Sequence, residues 1–260
     1  MYNKQKIVVT IEARMTSSRL PGKVLMEYIN KSNLQHIIER VRRSRYVDEI
    51  VVATTTNDTD NSIVELCKNI KCKYFRGSEE DVLLRVLDSV KSVMGDIIVE
   101  ITGDCPVVDW RHIDYLIEKY FEEKCDYAAN IIERSFPRGF DIQVFSTNLL
   151  EKVNVMTTSP VDHEHVSIYI YTNPDKFKLY NWKAEGLLNR PDLGITLDNL
   201  EDYILIKEIY EALYNGNNDF TSEDVIKYIT SSKEIEKRAL DRHRKNPFEE
   251  QKSWEERKNV

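Results

Sequence analysis

No stretch of this 260-residue chain approaches the ~20 consecutive apolar residues that a membrane span requires. Its start also lacks the apolar segment of a signal peptide, so a cytoplasmic protein without membrane partners is expected. Cysteine is sparse. Cys67, Cys72, Cys105 and Cys125 have neither the paired spacing of a zinc site nor the density of a secreted disulfide scaffold, and are expected to be reduced. An excess of positive charge is missing too: 37 Lys and Arg against 44 Asp and Glu give a net charge of −7. That balance argues against general nucleic-acid binding, which relies on neutralising phosphates. The Walker A glycine is absent, since Ser17 stands five positions before Gly22 and Lys23. No Ser/His/Asp or Cys/His nucleophile pattern is evident.

What is present begins near the start. Residues 7–11 are a run of β-branched apolar residues broken only by Thr10, the mark of a strand covered on both faces. The run empties into a loop holding Arg14, Arg19 and Lys23, with Thr16, Ser17 and Ser18 as donors and Pro21-Gly22 forcing a turn. A loop at the carboxyl end of a parallel strand lies where open α/β sheets bind ligands. Arg and Lys there suit a polyphosphate. A solvated basic turn is the plainer alternative.

The chain continues as alternating strand and helix patterns. Ser32-Asn33 caps a helix with Leu34, Ile37, Ile38 and Val41 on one face. Strands are expected at 49–54, 73–76 and 96–101, with helices through Ile63 and Cys67, through 82–87 and through 113–121. This alternation predicts an α/β protein with a mainly parallel sheet. Ser78 and Asp81 precede the third helix and read as a near capping box at its start. The strand ending at Ile101 runs into Thr102-Gly103-Asp104-Cys105-Pro106, which places a carboxylate at the same strand-end crevice as Arg14. Such an oxygen is a ligand for Mg2+, although helix capping is open to it, with Asp109 better placed for that task. A predicted strand at 195–197 delivers Asp198 in the same way, with a capping box to Glu201 as the alternative.

Between these lies a region of different character. Phe140, Ile142 and Val144 alternate with Asp141 and Gln143, predicting a half-exposed strand. His163-Glu164-His165 invites a zinc reading, but adjacent positions do not share a helix face and the two-residue metalloprotease gap is missing. Beyond Lys233 the chain is mostly charged, with Phe248 and Trp254 as possible anchors of a solvated helical tail.

Ala13-Arg14 with Ser18-Arg19-Leu20-Pro21-Gly22-Lys23 resembles the signature of the bacterial cytidylyltransferases that activate sugars such as 3-deoxy-manno-octulosonate and sialic acid, and most closely their spore-coat-polysaccharide branch. Further matches run to about residue 210. The resemblance implies a Rossmann-like three-layer nucleotidyltransferase fold over 1–235, with a small strand-rich insert at about 130–190 for acceptor binding and dimerisation, and a charged tail at 236–260. It implies CTP as the nucleotide, bound by Ile11, Glu12, Ala13, Arg14, Arg19, Lys23, Ser78, Asp81, Thr102 and Asp104. Arg14, Lys23, Asp104 and Asp198 would be catalytic, the two aspartates holding Mg2+. Arg138, Asp141, Gln143, Glu164 and His165 would meet the acceptor, Glu164 and His165 otherwise belonging to a dimer contact. The family usually carries an acid at the positions of Arg138 and Gln143, so this chain's acceptor is expected to be more anionic. A metal-using glycosyltransferase of related fold, or a non-catalytic nucleotide-binding protein, are the alternatives.

Overall fold

The computed structural model describes residues 1–240. Phe248 and Trp254, and with them most of the expected tail, lie outside the described residues. The buried run at the start forms β1 (Ile7–Glu12), an inner strand and third in order of a seven-stranded sheet. On one side of β1 lie β4 (Glu49–Thr55) and β5 (Lys73–Gly77), and on the other β6 (Ile97–Thr102), all parallel. Next to β6 runs β8 (Gln143–Ser146), antiparallel, followed by β7 (Tyr127–Ala129) and β9 (Leu179–Asn181). A two-residue hairpin, β2 (Glu27–Tyr28) and β3 (Lys31–Ser32), stands apart from this sheet.

Period-two alternation sorts the strand residues to two covered faces. Ile7, Val9 and Ile11 meet α1 (Asn33–Val41), α2 (Asn61–Asn69) and α4 (Trp110–Glu123) through Leu34, Ile37, Ile63 and Leu116. Val8 and Ile98 meet α3 (Val82–Ser92) and α5 (Thr147–Met156) through Leu83, Val86 and Leu150. The three-layer arrangement follows. A third apolar cluster joins Leu193, Ile195 and Leu197 to α8 (Leu200–Leu213), α9 (Ser222–Thr230) and α10 (Lys233–Ala239). Arg40, fully buried on α1, ties this cluster to the body by donating to the carbonyls of Val108 at 2.7 Å and Phe220 at 2.9 Å.

Several expectations are corrected. Residues 195–197 form no strand of the sheet. Their amides instead bond to loops, Ile195 to the Arg138 carbonyl at 2.8 Å and Leu197 to the Asp104 carbonyl at 2.8 Å. The alternating segment at 140–144 is not half exposed, and its strand begins only at Gln143. Gln143 is 6% exposed because its face of the sheet lies against the cleft rather than solvent. The insert is mainly helical rather than strand-rich: between β8 and β9 it carries α5, α6 (Pro160–Glu164) and α7 (Ile168–Tyr171). The boundary at 235 cuts α10, which belongs to the body, because Ala239 is buried and its carbonyl accepts from Gly194 at 2.8 Å.

Candidate active site

The carboxyl ends of β1 and β6 are register neighbours, Glu12 beside Thr102, and the chain leaves both into one cleft of about 440 Å³. The loop after β1 is held through its backbone amides. Gly22, at φ 75°, donates to the Met15 carbonyl at 2.9 Å, and Met15 N donates to Asp60 Oδ1 at 2.8 Å. Asp60 also accepts from both Thr54 and Thr55. Burial pushes its carboxyl up, but these donors outweigh that effect and hold it below the usual range. The loop is therefore a fixed cradle.

The turn after β6 comes still closer to β1. Gly103 N donates to the Glu12 carbonyl at 2.8 Å, and a Cβ at Gly103 would stand 2.6 Å from that same oxygen. Only glycine fits without a backbone shift. Asn33 secures the turn from below by donating to the Gly103 carbonyl at 2.7 Å. Thr102 Oγ1 donates to Asp104 Oδ1 at 2.5 Å and orients the carboxylate.

The cations and carboxylates then converge. Lys23 Nζ lies 3.0 Å from Asp104 Oδ2 and 3.0 Å from Asp198 Oδ1, and Arg19 Nη2 lies 2.7 Å from Asp198 Oδ1. Burial pulls the Lys23 ammonium down, but the two aspartates outweigh it and hold it above its usual range. Asp198 is not the helix cap. Asn199 caps α8 in a reciprocal box with Asp202, one residue later than the sequence spacing indicates.

The far wall is built by 131–143 and 164–171. Arg138, Asp141, Gln143, Glu164 and His165 all line the cleft. Arg134, which the sequence reading passed over, pairs with Asp141 through two bonds of 2.8 and 3.0 Å. Bidentate pairing of this kind fixes a guanidinium in place.

Not every expected residue reaches the cleft. Ile11 is fully buried in the core of β1. Ser78 and Asp81 serve the start of α3: Asp81 accepts from Leu84 N at 2.9 Å, Ser78 accepts from Asp81 N at 3.1 Å, and neither lines the cleft. Their neighbour Glu79 is the residue that meets the cradle, 3.2 Å from Arg14 and bonded to Thr16. Asp81 instead takes His163 Nδ1 at 2.8 Å, while His163 Nε2 faces the Thr157 carbonyl at 3.1 Å.

Also missed were Glu100 on β6 and Arg85 on α3, both in the cleft wall and only 4% and 3% exposed. Burial pushes Glu100 up to about 8, and burial together with Glu100 pushes Glu12 well above the carboxylate range. A signal existed, for an acid inside an otherwise apolar strand covered on both faces needs a reason to be there.

A fixed cationic cradle opposite two carboxylates, at the carboxyl ends of parallel strands β1 and β6, defines a nucleotidyl-transfer crevice. Residues 8–213 match the family model described as cytidylyltransferase. This chain belongs to the cytidylyltransferase family, enzymes that transfer a cytidylyl group from CTP. It is similar to the spore coat polysaccharide biosynthesis protein SpsF of Bacillus subtilis, with 33% identity over 79% of this chain and 86% of the relative. It is also similar to the 3-deoxy-manno-octulosonate cytidylyltransferase of Escherichia coli, with 31% identity over 75% and 82% of the two chains. Among solved structures, a cytidylyltransferase from Leptospira borgpetersenii superposes with a TM-score of 0.85 at 30% identity, covering 93% of this chain and all of the other. No helix among the described residues is long and apolar enough to cross a membrane.

Proposed function

We propose that this cytidylyltransferase acts on an anionic acceptor, an acid sugar or a sugar or polyol phosphate destined for a surface polysaccharide or glycoconjugate. An acceptor oxygen attacks the α-phosphorus of CTP, the new P–O bond forms, and pyrophosphate leaves. The observation that carries this reading is the meeting of Arg19 and Lys23 with Asp104 and Asp198 in one cleft. Arg14, Arg19 and Lys23 bind the triphosphate and stabilise the charge that accumulates on it as the bridging bond breaks.

Asp104 and Asp198 are the residues that would hold Mg2+. Both carboxylates reach a single ammonium, and no third acid, His or Cys joins them among the described residues. That donor set fits Mg2+, which takes one or two carboxylates and fills its shell with water and phosphate oxygens. Held by these two residues, the ion would supply neutralisation of phosphate charge and acidification of the acceptor hydroxyl. On the far wall, Arg138 and the Arg134–Asp141 pair support an anionic acceptor group. The family reading further supports a cytoplasmic homodimer built on the 130–190 region.

The test is pyrophosphate release from CTP and Mg2+ across a panel of acid sugars, sugar phosphates and polyol phosphates. Release with at least one anionic acceptor, and a raised acceptor KM in Arg138→Ala, is expected. Release only with neutral sugars, or an unchanged KM, overturns the reading.

A further inference from the structure

Among the described residues, four side-chain polar atoms are buried in one place without a hydrogen-bond partner: Thr10 Oγ1, Glu12 Oε1, Arg85 Nε and Glu100 Oε2. Their grouping follows from the sheet. Thr10, Glu100 and Gln143 are register partners across β1, β6 and β8, so their side chains stand in a row on one face, with Glu12 one step further along β1. Arg85 belongs to α3, which covers this face, and its Nη1 is anchored on the Ser78 carbonyl. Glu12, Arg85, Glu100 and Gln143 line the cleft, so this row of polar groups backs its inner wall, with the fully buried Thr10 behind it. Native interiors rarely leave such atoms unpaired, because each bears the full cost of lost hydration.

We propose that this recess receives an uncharged, hydroxyl-bearing stretch of the acceptor, and that Glu100 is a residue that selects it. The inference rests on the cytidylyl-transfer reading for what the acceptor is. The chemistry of the recess decides which part of it enters. The unpaired groups are a guanidinium N–H, which only donates, carboxyl oxygens, which accept or when protonated donate, and a threonine hydroxyl, which does both. A hydroxyl serves all of them, since it donates and accepts in turn. A phosphate or carboxylate would confront two acids and a single arginine that is already committed to backbone carbonyls. An apolar group would leave all four atoms unpaired. The anionic end of the acceptor therefore belongs with Arg134 and Arg138 and the hydroxylated body with Glu100. Sites built to pair a hydroxyl discriminate strongly against analogues lacking it.

Thermal melting of wild type, Glu100→Met and Glu100→Gln tests this, each alone and with 3-deoxy-manno-octulosonate, sorbitol 6-phosphate or inorganic phosphate. Removing a buried acid with one unpaired oxygen is expected to raise the melting temperature of unliganded Glu100→Met by about 2–4 °C. The two polyhydroxylated probes should stabilise wild type and Glu100→Gln, which keeps a donor and an acceptor, but not Glu100→Met. Phosphate should act alike on all three. Kinetically, Glu100→Met should raise the KM of the acceptor about tenfold or more and leave that of CTP within about twofold.

The proposal is overturned if Glu100→Met melts below wild type or does not fold, since the acid is then structural. It is equally overturned if neither polyhydroxylated probe shifts wild type, or if both shift Glu100→Met and Glu100→Gln as much as wild type. A probe that binds through Glu100 yet yields no pyrophosphate from CTP keeps the recess and removes the transfer reading. Pyrophosphate release with an acceptor KM unmoved in Glu100→Met does the reverse.

Discussion

Arg19 Nη2 and Asp198 Oδ1 stand 2.7 Å apart although 179 positions separate them in the chain. The contact joins the first loop of the fold to the segment that leads into α8. Asp198→Asn keeps the shape of the side chain and removes its charge. We expect kcat/KM to fall about 10²- to 10³-fold, with a melting temperature within a few degrees of wild type. Steady-state pyrophosphate release with scanning calorimetry checks both. A variant retaining full activity would remove Asp198 from the chemistry.

Gly103 supplies a second prediction. Its missing side chain lets the turn approach the Glu12 carbonyl, where a Cβ would stand at 2.6 Å. Gly103→Ala must push β1 and β6 apart, and is expected to cost about 2 kcal/mol, a drop of roughly 4–8 °C in Tm. Calorimetry reads it directly. An unchanged Tm would mean that the turn yields easily.

Acid should destabilise the protein through two histidines. Burial lowers both His36 and His112 to about 4. Their ordinary value is near 6.5, so between pH 6.5 and 4 the unfolded chain binds protons that the folded one refuses. Stability is intact above this window and lost as pH falls through it, by an amount of order 3 kcal/mol per histidine. Urea midpoints across the range should fall accordingly, and His112→Gln should flatten the slope.

Glu100 acts with the opposite sign. Its folded value of about 8 lies above the ordinary carboxylate range, so folding favours the protonated acid. That contribution is full below about pH 4.5 and is lost as pH rises towards 8. Relative to Glu100→Gln, wild type should therefore lose stability progressively across that interval. Paired urea titrations at several pH values measure the difference, and parallel curves would contradict it.

Much of this architecture could be read from residue order. Runs such as 7–11 and 97–101 read as doubly covered strands and form them, and Ser32 and Asp109 cap α1 and α4 where the spacing places them. Asp104 was legible as a strand-end acid because an apolar run announces where the chain leaves the core, and the same pattern pointed to Asp198 although no strand precedes it. Tertiary partnership was not legible. Residues 195–197 carry a strand's pattern, yet their amides find loop carbonyls instead of a neighbouring strand. Glu79 and Ser78 are adjacent, and only the direction of the turn decides that Glu79 meets Arg14. Asn199 outranks Asp198 as the cap because its side chain and that of Asp202 reach each other's amides. The recess at Glu100 depends on α3 crossing above β1 and β6, which no local window records.

The close approach at Gly103 has a consequence for how such an enzyme can diversify. Because main chain meets main chain there, the separation of the two turns at that point is set by backbone, with no side chain between them that substitution could lengthen or shorten. Residues of the opposite wall can then be exchanged while the spacing of the two turns stays constant. The joint works as a fixed gauge.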